Sequence, residues 1–319
     1  MHYRSACTFT RPSVTTIVSP PAFDFAKYLR ASKQACNECL ESLSIDLARG
    51  GIPANVRFQH LRFDTKTGEP LFRKLAGCLA DHLVSYCFSA KRRGKPRTDE
   101  DRHKLHREAR ELLRLTPTSG ESGEALIYFL LEAVLDAPQM VAKMDLKTNR
   151  RVESLGSDGI HMKWNDADRF LDIYFAEAKL EKTVATAVGN AVASLEDFHD
   201  KRQYEHELRL VTGHFKHADE RARRAIIRII DGKNLDADCR IRHACLIGYD
   251  WNEYKKLPDL MVRELTTEFR RRYAADRDRL HGLVEKHFAG FKRKTLEFEI
   301  FFLPFTNVQD FRDAFYEAV

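Results

Sequence analysis

No apolar run in this 319-residue sequence is long and clean enough to span a bilayer. The longest, LIYFLLEAVL and LEFEIFFLPF, are short and carry glutamates, where a spanning helix needs about 20 apolar residues. No charged head followed by a continuous apolar segment opens the chain, so no signal peptide is read, and a soluble cytoplasmic protein without a membrane partner is expected. Cysteine is sparse and odd in number, seven residues scattered along the chain, which excludes a disulfide framework in favour of reduced thiols. Cys36 and Cys39 form a lone CxxC in a helical-looking stretch. Zinc wants four ligands and no second close Cys or His pair supplies the rest, so these read as structural thiols. His281 and His287 lie too far apart for one helical turn and read as surface residues. Internal repeats, low-complexity tracts and collagen-like or disordered bias are all missing. Aromatic residues fall at apparent core positions, so no stacking platform for single-stranded nucleic acid stands out.

What is present is an ordinary globular composition, 43% hydrophobic, and a length that suits one large or two medium domains. The net charge of +6 and isoelectric point near 8.9 suit an anionic partner without requiring one. Positive charge gathers in AKRRGKPR (90–97), RARRAIIR (221–228) and FKRKT (291–295). Each alone is also what a solvated face looks like.

The first 25 residues, with SPP and little periodicity, predict a loose arm or an edge strand. Helical spacing runs from Phe25 to about Ala48 and is ended by Gly50, Gly51 and Pro53. VRFQHLRF (56–63) alternates as a short strand, TKTGEP turns, and LFRKLAGCLADHLVSYCF (71–88) is an amphipathic helix. The segment AKRRGKPRT breaks the pattern and places a boundary, giving a mainly helical N-terminal module over 1–97 and a second domain over 98–319. Thr98, followed by three acidic residues, predicts the N-cap of a helix reaching about Leu115. GEALIYFLLEAVL predicts another helix, with Glu124 at its start. MVAKMDLK (140–147) alternates apolar with charged residues, as a half-buried strand does. TVATAVGNAVASLEDF (183–198) carries a stripe of small residues that lets a helix lie close against a sheet. CRIRHACLIGYD (239–250) and LEFEIFFLPF (296–305) read as core strands. The fold class that follows is α/β (α+β), a mixed central sheet flanked by helices.

GSDGIHMKWNDADRFLDIYFAEAKLEK (156–182) carries the functional signal. Alternation puts Asp158, Ile160, Met162 and Trp164 on one face of a first strand. On a second strand Leu171, Ile173, Phe175, Glu177 and Lys179 share a face. If the polar turn NDADRF closes symmetrically, Trp164 meets Leu171, Met162 meets Ile173 and Ile160 meets Phe175. The same register sets Asp158 beside Glu177. Opposed side chains lie about 4.5–5.5 Å apart at Cβ, and like charges there are destabilising, more so where they are desolvated. A hard divalent ion such as Mg²⁺, with Mn²⁺ as a substitute, suits two carboxylates, a backbone carbonyl and waters. Lys179 places an ammonium about 6–7 Å further along the strand, where it can orient a water or neutralise phosphate charge. These are the needs of phosphodiester hydrolysis. The plainer alternative is a Glu-x-Lys pair on an exposed, helix-prone strand end.

The order of a helix with Glu124, a strand, Gly-Ser-Asp158-Gly, a strand, Glu177-Ala178-Lys179 and a helix resembles the PD-(D/E)xK restriction-endonuclease-like nuclease core. The 19 positions from Asp158 to Glu177 fit that family's variable gap, and Ser157 stands where its proline is usual. The resemblance implies that Asp158, Glu177 and the Ala178 carbonyl ligate Mg²⁺, that Lys179 assists the attacking water and that Glu124 is an auxiliary ligand. AREL, SGESGEALIYFLLEAVL, GSDGIHM, FAEAKL and CLIGYD, from about residue 107 to 250, look like the nuclease subunit of the Hachiman anti-phage defence system. That resemblance implies a nuclease domain over 98–319 with helical C-terminal additions. It further implies DNA cleavage with little sequence preference, restrained by a superfamily-2 helicase partner. His161 belongs to this motif, but by parity it points to the opposite face, as a supporting or structural residue. A non-catalytic nucleic-acid-binding subunit on the same scaffold is the alternative, and a partner-docking surface is expected in the N-terminal module or after residue 250.

Overall fold

The computed structural model describes residues 24–43, 54–114, 116, 118–146, 156–167, 169–217, 219–230, 239–257, 260–293 and 296–319. Among the described residues six strands form one mixed sheet: β1 (Leu40–Leu43), β2 (Ala54–Leu61), β3 (Gly159–Asn165), β4 (Phe170–Glu181), β5 (Cys239–Asp250) and β6 (Glu297–Phe305). Their spatial order is β1-β2-β6-β5-β4-β3. The central pairs β2/β6, β6/β5 and β5/β4 are parallel, and an antiparallel partner closes each edge, β1 on β2 and β3 on β4. Parallel strands need crossover connections and become covered on both faces. That is why residues 244–249 (ACLIGY) and 300–305 (IFFLPF) are uninterrupted apolar runs.

Helices α1 (Lys33–Cys39), α2 (Phe72–Asp81), α3 (Leu83–Cys87), α4 (Ala90–Arg93), α5 (Asp99–Leu112), α6 (Glu121–Leu135), α7 (Val184–Asp200), α8 (Gln203–Gly213), α9 (Glu220–Ile230), α10 (Val262–Phe288) and α11 (Val308–Ala318) surround the sheet. One core joins α2, α3, α6 and α11 to Tyr174, Ala176, Leu246 and Phe301 of the sheet. The opposite core joins α7 and α10 to Phe58, Cys245, Ile247 and Phe302. A third wraps the β3–β4 hairpin with Phe198, Leu208 and Ile226.

The expected small-residue helix is α7, capped by Thr183, whose hydroxyl accepts the Thr186 amide. Ala187, Val188, Ala191 and Leu195 are buried against the sheet. At Gly189 a Cβ would come within 3.2 Å of the His287 ring, so this glycine lets α10 cross closely. α5 begins with the expected Thr98 cap, completed as a capping box by Asp101.

Three local expectations need correction. MVAKMDLK is not a strand. Gln139, just before it, bridges His161 of β3, the Met140 amide donates to the Ile160 carbonyl, and Lys143–Leu146 turns as a 3₁₀-helix. Alternation suggested solvated charges, but Lys143 is buried against Glu207, and Asp145 accepts from Ser89 and Arg92. Lys147 lies outside the described residues, as do residues 1–23 and 44–53, where the N-terminal arm and the Gly50–Pro53 stop were read. The helical spacing from Phe25 resolves into a 3₁₀ turn, α1 and then β1, because Leu40 pairs with Leu61 in the sheet. Tertiary pairing overrides local propensity there. The helix read over 71–88 breaks at His82, whose ring nitrogen reaches the Cys78 carbonyl at 2.7 Å.

Strands from both sides of the expected boundary at residue 97 share one sheet, through β2 on β6, and α2 packs on α11. Cys36 and Cys39 are buried thiols, and the buried Cys87 thiol donates to the Ala109 carbonyl. Among the described residues no helix is long and apolar enough to cross a membrane.

Candidate active site

The register inferred from alternation is the register observed: Trp164 opposite Leu171, Met162 opposite Ile173, Ile160 opposite Phe175 and Gly159 opposite Ala176. Asp158 sits one residue before β3, its amide donating to the Ala176 carbonyl at 2.8 Å. Its Oδ2 accepts the Ala178 amide at 2.7 Å. The aspartate is thus fastened to the middle of Glu177-Ala178-Lys179.

Glu177 is buried, and its Oε1 lies 2.6 Å from Lys179 Nζ. In β4 they lie two residues apart, on one face of the strand. Glu124 enters from α6. Gly123 allows this approach, since a Cβ there would stand 3.3 Å from Ala178 Cβ and Leu180 Cγ. Glu124 Oε2 accepts from the Tyr86 hydroxyl of α3 at 3.0 Å.

The electrostatics tie these groups together. Burial pushes the Asp158 carboxyl well above its ordinary pKa, and Glu177 and then Glu124 push it further, against the Ala178 amide and Lys179. Burial opposes the Lys179 ammonium, but Glu177, Asp158 and Glu181 hold its pKa above the usual lysine value. Burial, Glu124, Cys87 and Asp158 raise the Tyr86 hydroxyl strongly. Cys245, opposite Glu177 on β5, is raised by burial and by Glu177. Asp158 at the β3 entry therefore feels the carboxylates of Glu177 on β4 and Glu124 on α6, with the Lys179 ammonium beside them.

The HamA family model matches residues 37–319, a span holding all six strands and every residue of this cluster. The chain belongs to the HamA family. Membership gives it a role in Hachiman anti-phage defence, a system of more than one subunit. No curated protein matches the chain.

Within this HamA fold, His161 lies on the other face, fully buried, with Nδ1 2.7 Å from the Ala137 carbonyl and its ring beside Tyr128. Burial lowers its pKa to about 4, so it is a neutral packing residue at pH 7. Tyr86 was missed by sequence reasoning because it reads as one more apolar position of an amphipathic helix. Cys245 became visible only through the β4–β5 register.

Among the described residues no three His, Cys, Asp or Glu side chains close into a ligand shell. Asp158 is turned to an amide, Glu177 to Lys179 and Glu124 to Tyr86. The basic clusters are partly neutralised: Arg92 pairs with Asp145 and Glu108, and Lys292 and Arg293 pair with Asp200.

Proposed function

We propose that the chain is the nuclease of its defence complex, hydrolysing phosphodiester bonds of DNA with a divalent metal ion and little sequence preference. What supports this reading most is one observation, Asp158 fastened beside Glu177 with Lys179 on the same strand face. The donors are hard oxygens only, and the burial and carboxylate repulsion that together lift the Asp158 carboxyl are what a bound cation relieves. That chemistry fits Mg²⁺, or Mn²⁺ in its place.

Asp158 and Glu177 would hold the ion, with Glu124 and the Ala178 carbonyl as further oxygens. When bound, the ion supplies an activated water and neutralises charge on the phosphate. This chain's own groups do the rest. With its pKa raised, Lys179 is an ammonium at neutral pH, so it donates hydrogen bonds to the attacking water or a phosphate oxygen rather than taking a proton. Tyr86 fixes the Glu124 carboxylate by its hydroxyl. A superfamily-2 helicase subunit as the restraining partner belongs to the same proposal.

The open ligand set and the close Glu177–Lys179 pair favour one rival, a non-catalytic nucleic-acid-binding or assembly subunit on this scaffold. Plasmid incubation with Mg²⁺ or EDTA separates the two. Nicking that needs Mg²⁺ and disappears in Glu177→Gln supports the nuclease. DNA binding that survives EDTA, with no cutting in Mg²⁺, supports the rival.

A further inference from the structure

Asp158 is also held from behind. It follows Gly156 and Ser157, and two buried ionic side chains grip the Ser157 residue at both its amide and its carbonyl. Glu207 of α8 accepts the Ser157 amide with Oε1 at 3.3 Å. Lys143 Nζ donates to the Ser157 carbonyl at 2.5 Å and to the same Glu207 oxygen at 2.7 Å. The two side chains are only 7% and 0% exposed. Gly156 has φ 97°, and a Cβ there would fall 1.9 Å from Glu207 Oε1, so only glycine lets the glutamate reach the backbone. The Ser157 hydroxyl then donates to the Gly159 carbonyl at 3.2 Å, closing the turn around Asp158.

Apolar residues of similar volume would hold α8 here without the desolvation cost of a buried ion pair. They could not bond both polar groups of Ser157. We propose that the Lys143–Glu207 pair is a positioning device that seats the Asp158 carboxylate on the Ala178 amide, beside Glu177. Neither residue touches the reacting atoms. The inference rests on the nuclease reading for its effect on cleavage, but not for its effect on the position of Asp158.

The test measures hydrogen exchange of the Ala178 amide, whose acceptor is Asp158 Oδ2. Lys143→Met/Glu207→Met removes both charges at similar volume and so keeps a folded protein. Its Ala178 amide exchanges about tenfold faster or more, with Ile173 and Leu246 amides unchanged. Glu207→Gln, which keeps an acceptor for Ser157, gives a smaller rise. In DNA cleavage the double variant needs about tenfold more Mn²⁺ for half-maximal rate at unchanged KM for DNA. Wild-type protection of Ala178 in either folded variant overturns the proposal. If the wild-type protein shows no metal-dependent cleavage, the nuclease reading is what fails, and Ala178 exchange alone decides the positioning.

Discussion

Asp158→Asn offers a test of the carboxylate cluster that does not depend on turnover. The substitution is isosteric, and the Asn side-chain oxygen can still accept the Ala178 amide that Asp158 accepts at 2.7 Å. Only the charge is removed. Two unit charges about 5 Å apart, at an effective dielectric near 20, repel by about 3 kcal/mol. Lys179, 2.6 Å from Glu177, offsets part of this, while Glu124 adds to it. A net gain of about 1–2 kcal/mol is expected in EDTA, a rise in Tm of about 2–5 °C. The sign follows from linkage. The folded pKa of Asp158 is raised, so the fold binds this proton more tightly than the unfolded chain does. The penalty is absent below the unfolded value, about 3.9, and grows as pH rises toward the folded value. The advantage of Asn is therefore greatest at pH 7.5 and vanishes near pH 4. Differential scanning fluorimetry of both proteins across that range measures it. Mg²⁺ should raise the wild-type Tm and leave the variant flat. A variant no more stable than wild type at pH 7.5, or a difference that ignores pH, refutes the reasoning.

Lys179→Ala should fold normally yet lose about 10²–10³ in cleavage rate, as removal of one preorganised donor does; circular dichroism and plasmid nicking check both halves. His199 and His243 meet at 2.7 Å between their Nε2 atoms, and burial lowers their pKa values to about 4 and about 3. Their stabilising contribution is present above the unfolded value near 6.5 and is lost as pH falls through about 4. His243→Phe should flatten that acid limb in a pH series of urea unfolding, whereas an unchanged limb would point elsewhere. Deleting residues 24–95 removes β1, β2, α2 and α3, with buried Leu61, Leu75, Leu79 and Phe88. Such a truncation should be unfolded by circular dichroism, and a folded product would show that the sheet tolerates losing β2 beside β6.

Much of this architecture was legible because period-two patterning fixes register wherever one face is buried. Ile160, Met162, Ile173 and Phe175 leave a single pairing that hides every apolar side chain, and Asp158 beside Glu177 follows from it. The cap at Thr98 was legible because its chemistry is local. Lys143 was misread because alternation assumes that a charged residue faces water, while its partner, Glu207, lies 64 positions away. β1 was hidden because Leu40–Leu43 takes its conformation from Phe58–Leu61, which no helical periodicity reveals. Tyr86 was hidden for a related reason: its hydroxyl matters only once α3 and α6 are packed together.

DNA cleavage by the purified chain, alone and with its partner subunit, in Mg²⁺ and in EDTA, bears most directly on the central claim. Wild-type protein should degrade DNA only in Mg²⁺, and Glu177→Gln should leave the DNA whole while keeping the same fold and partner. Equal cleavage by wild type and Glu177→Gln, or cutting that persists in EDTA, would contradict it.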